Sequence, residues 1–184
     1  MSGITPSTHK SDLPARLMRV EETGVREFLA FVLASETYAL PLSCVREIMR
    51  VPSVTPVPRA PVEVLGIISV RGQVTTLVDL RQKLQVAPAA VGSRTRILLV
   101  DQGDEILGLL CDRVLQVHRL SETEVEMASV LGSDASSYVM GIGRPGQRKA
   151  DNTRENKRKP AAGDENDILI LLDPIALLKR QAYG

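Results

Sequence analysis

The chain has no tryptophan, and its two phenylalanines and three tyrosines amount to 3% of 184 residues. Proteins that hold single-stranded nucleic acid stack bases on aromatic side chains, and this chain has almost none to offer. Charge closes the electrostatic route too: 23 basic residues against 22 acidic ones leave +1, too little for a global field that draws the protein onto a polyanion. Nucleic acid is therefore not an expected partner.

Histidine and cysteine are equally scarce, with two of each. Cys44 and Cys111 lack C-x-x-C spacing and each sits in an apolar segment, so they read as small reduced core residues, neither a disulfide framework nor a zinc site. No nucleophile elbow, glycine-rich phosphate loop or metal-ligand spacing accompanies a Cys-His pair with His118, and His9 lies in the opening tail. No catalytic residue, cofactor or metal is expected. Nothing approaches the roughly 18 apolar residues that span a bilayer, and the first 22 residues carry no apolar stretch of a secretory signal. A cytoplasmic protein without membrane insertion is the expectation.

What is present is the composition of a folded domain, 43% hydrophobic and 24% charged. Residues 1–25 lack periodicity and read as a disordered tail; the folded part is expected over 26–181. Phe28 to Leu33 and Tyr38 to Leu40 flank Ser35-Glu36-Thr37 as a hairpin. Ser43 is placed to cap a short helix, on which Val45, Ile48 and Met49 would share a face up to Pro52. Pro52, Pro56, Pro58 and Pro61 then impose an extended crossing. A second hairpin runs from Leu65 to Val70 and Val74 to Leu80, and a third joins Arg96–Val100 to Ile106–Leu110 around Gln102-Gly103-Asp104, after a connector at 85–93. Ser121 with Glu124 forms a capping box; Ile168 to Leu172 is the last strand, and Asp173-Pro174 opens a short terminal helix. Residues 144–166, rich in arginine and lysine with acids interleaved, read as a flexible basic insertion at a hairpin tip.

The two halves echo each other. Each starts with a hairpin running into Cys44 or Cys111, then has a Gly-Ile step (Gly66-Ile67, Gly141-Ile142), then an apolar run ending in Asp79 or Asp173 with a leucine, Leu84 or Leu178, at one offset. Many short strands and no long helix point to an all-β fold of two small interlocking subdomains. The first is expected at about 40–90, and the second at 26–39 plus 91–181 with strand exchange possible.

Several segments together resemble the CheW-like chemotaxis coupling (adaptor) family. They are Phe28-Leu29-Ala30-Phe31-Val32-Leu33 with Tyr38, Val45-Arg46-Glu47-Ile48, Val54-Thr55-Pro56-Val57-Pro58, and Gly66-Ile67-Ile68-Ser69-Val70-Arg71-Gly72, followed by Leu77-Val78-Asp79-Leu80-Arg81 and Gly108-Leu109-Leu110-Cys111-Asp112-Arg113-Val114. Ser69 in place of the usual Asn, Pro41 in the second strand and the basic insertion depart from the family pattern. The resemblance implies two intertwined SH3-like five-stranded β-barrels with a short C-terminal helix, and a non-catalytic scaffold, monomeric when free, bridging a chemoreceptor's cytoplasmic tip and the regulatory domain of a histidine kinase in a membrane-associated array.

On that model Val45 and Ile48 form an apolar patch for a receptor helix, each worth roughly 1.5–3 kcal/mol if a partner buries it fully. Glu47 sits at the rim. Arg71, before Gly72 at a hairpin tip, presents a planar five-donor group with its fork free for a carboxylate or for helix carbonyls. Leu107 and Gly108, where a glycine interrupts an apolar strand, are the kinase-side candidates, and that glycine marks a bulge or a close approach.

Overall fold

A computed structural model describes residues 24–101, 105–128, 137–146 and 168–178. The tail up to residue 23, the turn expected at 102–104 and residues 147–167, which hold all but the first three residues of the expected insertion at 144–166, lie outside the described residues.

The expected all-β fold is what forms. The strands are β1 (Val25–Leu33), β2 (Glu36–Pro41), β3 (Val45–Arg50), β4 (Val64–Val70), β5 (Gln73–Asp79), β6 (Arg96–Asp101), β7 (Ile106–Cys111), β8 (Arg113–Ser121), β9 (Val125–Met127), β10 (Val139–Gly143) and β11 (Leu169–Leu172). Among the described residues, two short α-helices, α1 (Leu80–Lys83) and α2 (Pro174–Leu178), each follow an aspartate that caps them. The Asp79 carboxylate accepts from the Arg81 backbone N–H at 2.9 Å, and Asp173 accepts from Ile175 at 2.8 Å. The Ser121 capping box also forms, with the Ser121 N–H donating to Glu124 at 2.9 Å across a 3-10 turn, Glu122–Glu124.

Among the described residues, eleven strands make two sheets, ordered β8-β1-β2-β11-β10-β9 and β3-β6-β7-β5-β4. The hairpin of each half is built into the sheet of the other: β2 lies parallel to β11, and β7 lies parallel to β5. β6 and β7 share a sheet with β3, β4 and β5, while β1 and β2 share one with β8 to β11. One sheet also has six strands where five were expected, and proline explains the asymmetry. Thr55, between Val54 and Pro56 in the crossing, makes only an isolated bridge to Ile67. Its counterpart in the other half, Val125–Met127, has no proline and pairs fully with β10 as β9.

The repeat is visible at its glycines. A Cβ on Gly66 would sit 2.3 Å from the Thr55 carbonyl oxygen, and one on Gly141 would sit 2.4 Å from that of Glu126. Each half therefore needs glycine where its fourth segment crosses against the third. Both glycines also coincide with a register shift in their hairpins.

Period-two alternation sorts the core. On β1, Phe28 and Ala30 join Ala39, Leu120, Leu169 and Leu171 in one cluster. Ile97 and Leu99 on β6 join Ile68, Leu77 and Leu110 in another. The opposite faces of both sheets meet in a third, shared cluster that includes Phe31, Leu33, Leu40, Leu98, Val100, Leu109 and Leu172. Both exchanged hairpins are thus buried on two faces, which is why they read as unbroken apolar runs.

Candidate functional site

The helix expected after Ser43 does not form. A 3-10 turn, Leu42–Cys44, leads directly into β3, which pairs antiparallel with β6. Ladder pairing with the buried β6 outweighs the short helical pattern, and Val45 and Ile48 are β-branched residues suited to a strand. The helical spacing has a specific cause. Val45 faces Val100 while Glu47 faces Leu99, so Arg46 is an extra residue in a β-bulge. The bulge returns Val45 and Ile48, three residues apart, to the face that carries Val100 and Leu98. A bulged strand and a helix put residues i and i+3 on one side alike.

β3 is an edge strand, paired on one side only. Val45 is half-buried against the shared cluster, whereas Ile48 is 43% exposed. Glu47 and Met49 face the other way, Met49 packing on the cluster around Leu99. Ile48 and Glu47 therefore flank the open edge from opposite faces.

Glu47 reaches the tip of the β4–β5 hairpin. The two-residue turn there has φ +50° at Arg71 and +82° at Gly72, with Val70 paired to Gln73. Positive φ at both central positions defines the type I′ turn that matches strand twist, and Gly72 supplies one of them without strain. The Arg71 side chain is 81% exposed, but its fork is not free: Nη2 donates to the Glu47 carboxylate at 2.8 Å. That pair is exposed and worth about 0–1 kcal/mol to the fold, so its consequence is orientation, holding the guanidinium against β3. The structure brings Glu47 and Arg71 together and puts Val45 and Ile48 on one face of the same strand.

Leu107 and Gly108 lie elsewhere. Both are buried in β7, an inner strand paired to β6 and β5 without a register break, so there is no bulge. The close approach does occur: a Cβ on Gly108 would meet Ile97 at 3.0 Å and Leu77 at 3.2 Å. Leu107 belongs to the shared cluster. In the free chain neither offers an exposed side chain to a partner.

Sequence reasoning missed one cluster. Arg81 on α1 is 7% exposed and grips Asp112 with two donors, Nε to Oδ1 at 2.7 Å and Nη2 to Oδ2, while Nη1 donates to the Ala87 carbonyl. Asp112 Oδ2 also accepts from the Ala34 N–H at 2.8 Å, and the Asp112 N–H donates to Val32 at 3.1 Å. This ties α1, the connector, the β1–β2 turn and the β7–β8 corner together. The motif around Arg81 was visible, but arginine is so seldom buried that its type gives no hint of such a place.

Cys44 and Cys111 are both free and buried. Burial pushes each thiol up to about 12, and the Cys44 thiol donates to the Pro41 carbonyl at 2.9 Å. Neither supplies a thiolate near neutral pH. Among the described residues no three His, Cys, Asp or Glu side chains are grouped to hold a metal, and no helix is long and apolar enough to cross a membrane.

The chain is similar to the chemotaxis protein CheW of Helicobacter pylori, at 32% identity over 124 residues, covering 67% of this chain and 75% of that protein. It is similar to protein FrzA of Myxococcus xanthus at 27% over 129 residues, 70% of this chain and 81% of that one. The crystal structure of the scaffolding protein TtCheW from Thermoanaerobacter tengcongensis shares the fold, with a TM-score of 0.67 at 23% identity, covering 86% of this chain and 95% of that one. The family model of the CheW-like domain matches residues 27–182, which include both sheets, and on that match the chain belongs to the CheW-like domain family.

Proposed function

We propose that this chain is a non-catalytic adaptor that couples the cytoplasmic tip of a chemoreceptor to the regulatory domain of a chemotaxis histidine kinase. The observation that carries the reading is the open β3 edge. It offers Val45 and Ile48 on one face and a Glu47–Arg71 pair at the other. A receptor helix docks its apolar stripe against Ile48 and Val45, and the remaining donors of Arg71, with Gly72 allowing the turn, bind carboxylates or terminal carbonyls on that helix. Family membership supports the absence of catalysis, and the inert thiols agree with it.

The kinase engages a second surface, which Leu107 and Gly108 support from beneath as packing residues of β7. The protein works as a monomer in the cytoplasm until it joins receptors at the membrane. Output, whether flagellar, gliding, pilus-based or transcriptional, follows from the receptor and kinase it meets, because the same surfaces serve any such pair.

The test is a charge swap. Arg71→Glu should weaken binding to a receptor signalling fragment, because two carboxylates then face each other at the β3 edge. Glu47→Arg combined with Arg71→Glu restores the local pair without restoring the outward cation. If Arg71 only orients the turn, the double variant recovers binding fully; if it contacts the receptor, binding stays weak while kinase binding is unchanged. Unaltered receptor binding by folded Arg71→Glu would remove Arg71 from the site.

A further inference from the structure

The connector between the halves borders an open cavity of about 440 Å³ whose walls include Ala34, Arg81, Arg94, Thr95, Asp112 and Arg113. Three arginines and one aspartate thus line it. Asp112 is spent internally: one oxygen accepts from Arg81 Nε, and the other accepts from Arg81 Nη2 and the Ala34 N–H. Its charge is matched by Arg81, which leaves the excess at Arg94 and Arg113. Elsewhere on the surface, Arg46, Arg71, Arg119 and Arg144 each hold a carboxylate. Arg94 and Arg113 are exposed and hold none among the described residues.

The rim is ordered by its own bonds. Thr95 donates its N–H to the Gly92 carbonyl at 3.1 Å, and the Gly92 N–H donates to Thr95 Oγ1 at 2.9 Å, closing a turn that sets Arg94 beside the cavity. Arg113 starts β8 directly after Asp112, so the bonds that fix the Asp112 backbone also fix its position.

We infer that this cavity binds a small multivalent oxyanion, a phosphate ester or a polycarboxylate, between Arg94 and Arg113. Planar guanidinium forks match the paired oxygens of either group. The cavity has room for such a molecule but is open and polar, unlike the apolar pockets that take uncharged ligands. Because its walls come from both halves of the chain, an occupant would brace the connector against the β1–β2 turn and the β7–β8 corner, and so raise thermal stability by mass action.

The test uses the full chain at low ionic strength and neutral pH, titrated separately with pyrophosphate and citrate by calorimetry and by amide NMR. Saturable binding of at least one is expected, with the amide signals of Gly92, Thr95 and Arg113 moving; which anion binds tells phosphate from carboxylate recognition. Arg94→Ala with Arg113→Ala should weaken that binding by about tenfold or more, since charge-assisted hydrogen bonds are lost. Arg50→Ala, which removes an exposed guanidinium outside the cavity, should leave it within about twofold. The inference is overturned if neither anion binds saturably, if the double variant binds like the parent, which would point to the basic insertion, or if Arg50→Ala weakens binding equally.

Discussion

Replacing Arg81 by methionine removes the clasp on Asp112 while keeping most of the side-chain volume. Arg81's side chain is 9% exposed and Asp112's 28%, so the pair sits at the edge of the interior. Breaking a buried ion pair from one side costs about 3–5 kcal/mol, because the remaining charge stays desolvated. Here Asp112 keeps the Ala34 N–H and some water, which puts the expected loss near the lower limit, about 3 kcal/mol. For a domain of this size that corresponds to a fall in Tm of about 6–12 °C. Asp112→Asn should cost at least as much, since it strands the more deeply buried guanidinium. The double variant should cost less than the two losses summed, with a coupling of about 1–3 kcal/mol. Urea unfolding at fixed m-value is the assay. An Arg81→Met loss below about 1 kcal/mol, with no coupling to Asp112→Asn, would show that the clasp is ornamental and that the halves are held by strand pairing and apolar packing.

Two further outcomes follow from the same architecture. Both cysteines should resist a thiol reagent in the native protein at pH 8 and react at once in denaturant. Their raised folded pKa values also mean that the unfolded chain loses its thiol protons first, so this contribution to stability is complete below pH 9 and is lost between about pH 9 and 12; native labelling at pH 8 would contradict the burial. Because each sheet takes its hairpin from the other half, a chain cleaved at a protease site engineered into residues 88–91 should remain one species in size-exclusion chromatography without denaturant; separation into two fragments would show that the exchange contributes little.

How legible this was depended on burial. The hairpins β1–β2, β4–β5 and β6–β7 were readable because their apolar runs are flanked by polar turns, and because β1, β2, β6 and β7 are covered on both faces. β8 was not: it is an edge strand whose Leu115 and Val117 are 41% exposed, and its register breaks against β1 between Leu29 and Phe31. β3 was misread as a helix because the bulge at Arg46 imitates helical spacing. The internal repeat was visible in the glycines and aspartates, and 26–39 was expected with the second half, but the joining of the β6–β7 hairpin to the first half's strands is decided by pairing between distant segments, β5 with β7, and no local pattern encodes that. At the candidate site, Arg71 and Gly72 were legible from turn chemistry, whereas the reach of Glu47 to Arg71 across 24 residues was not. Arg81, Arg94 and Arg113 converge only once the connector is folded back.

The most direct test of the adaptor reading is simultaneous occupancy. The purified chain is mixed with a receptor cytoplasmic fragment and the kinase regulatory domain from the same cell, and masses are read by light scattering coupled to chromatography. A complex containing all three, lost with respect to the receptor alone when Ile48 is changed to aspartate on the β3 edge, is the predicted result. Mutually exclusive binding, with each partner displacing the other, would contradict it.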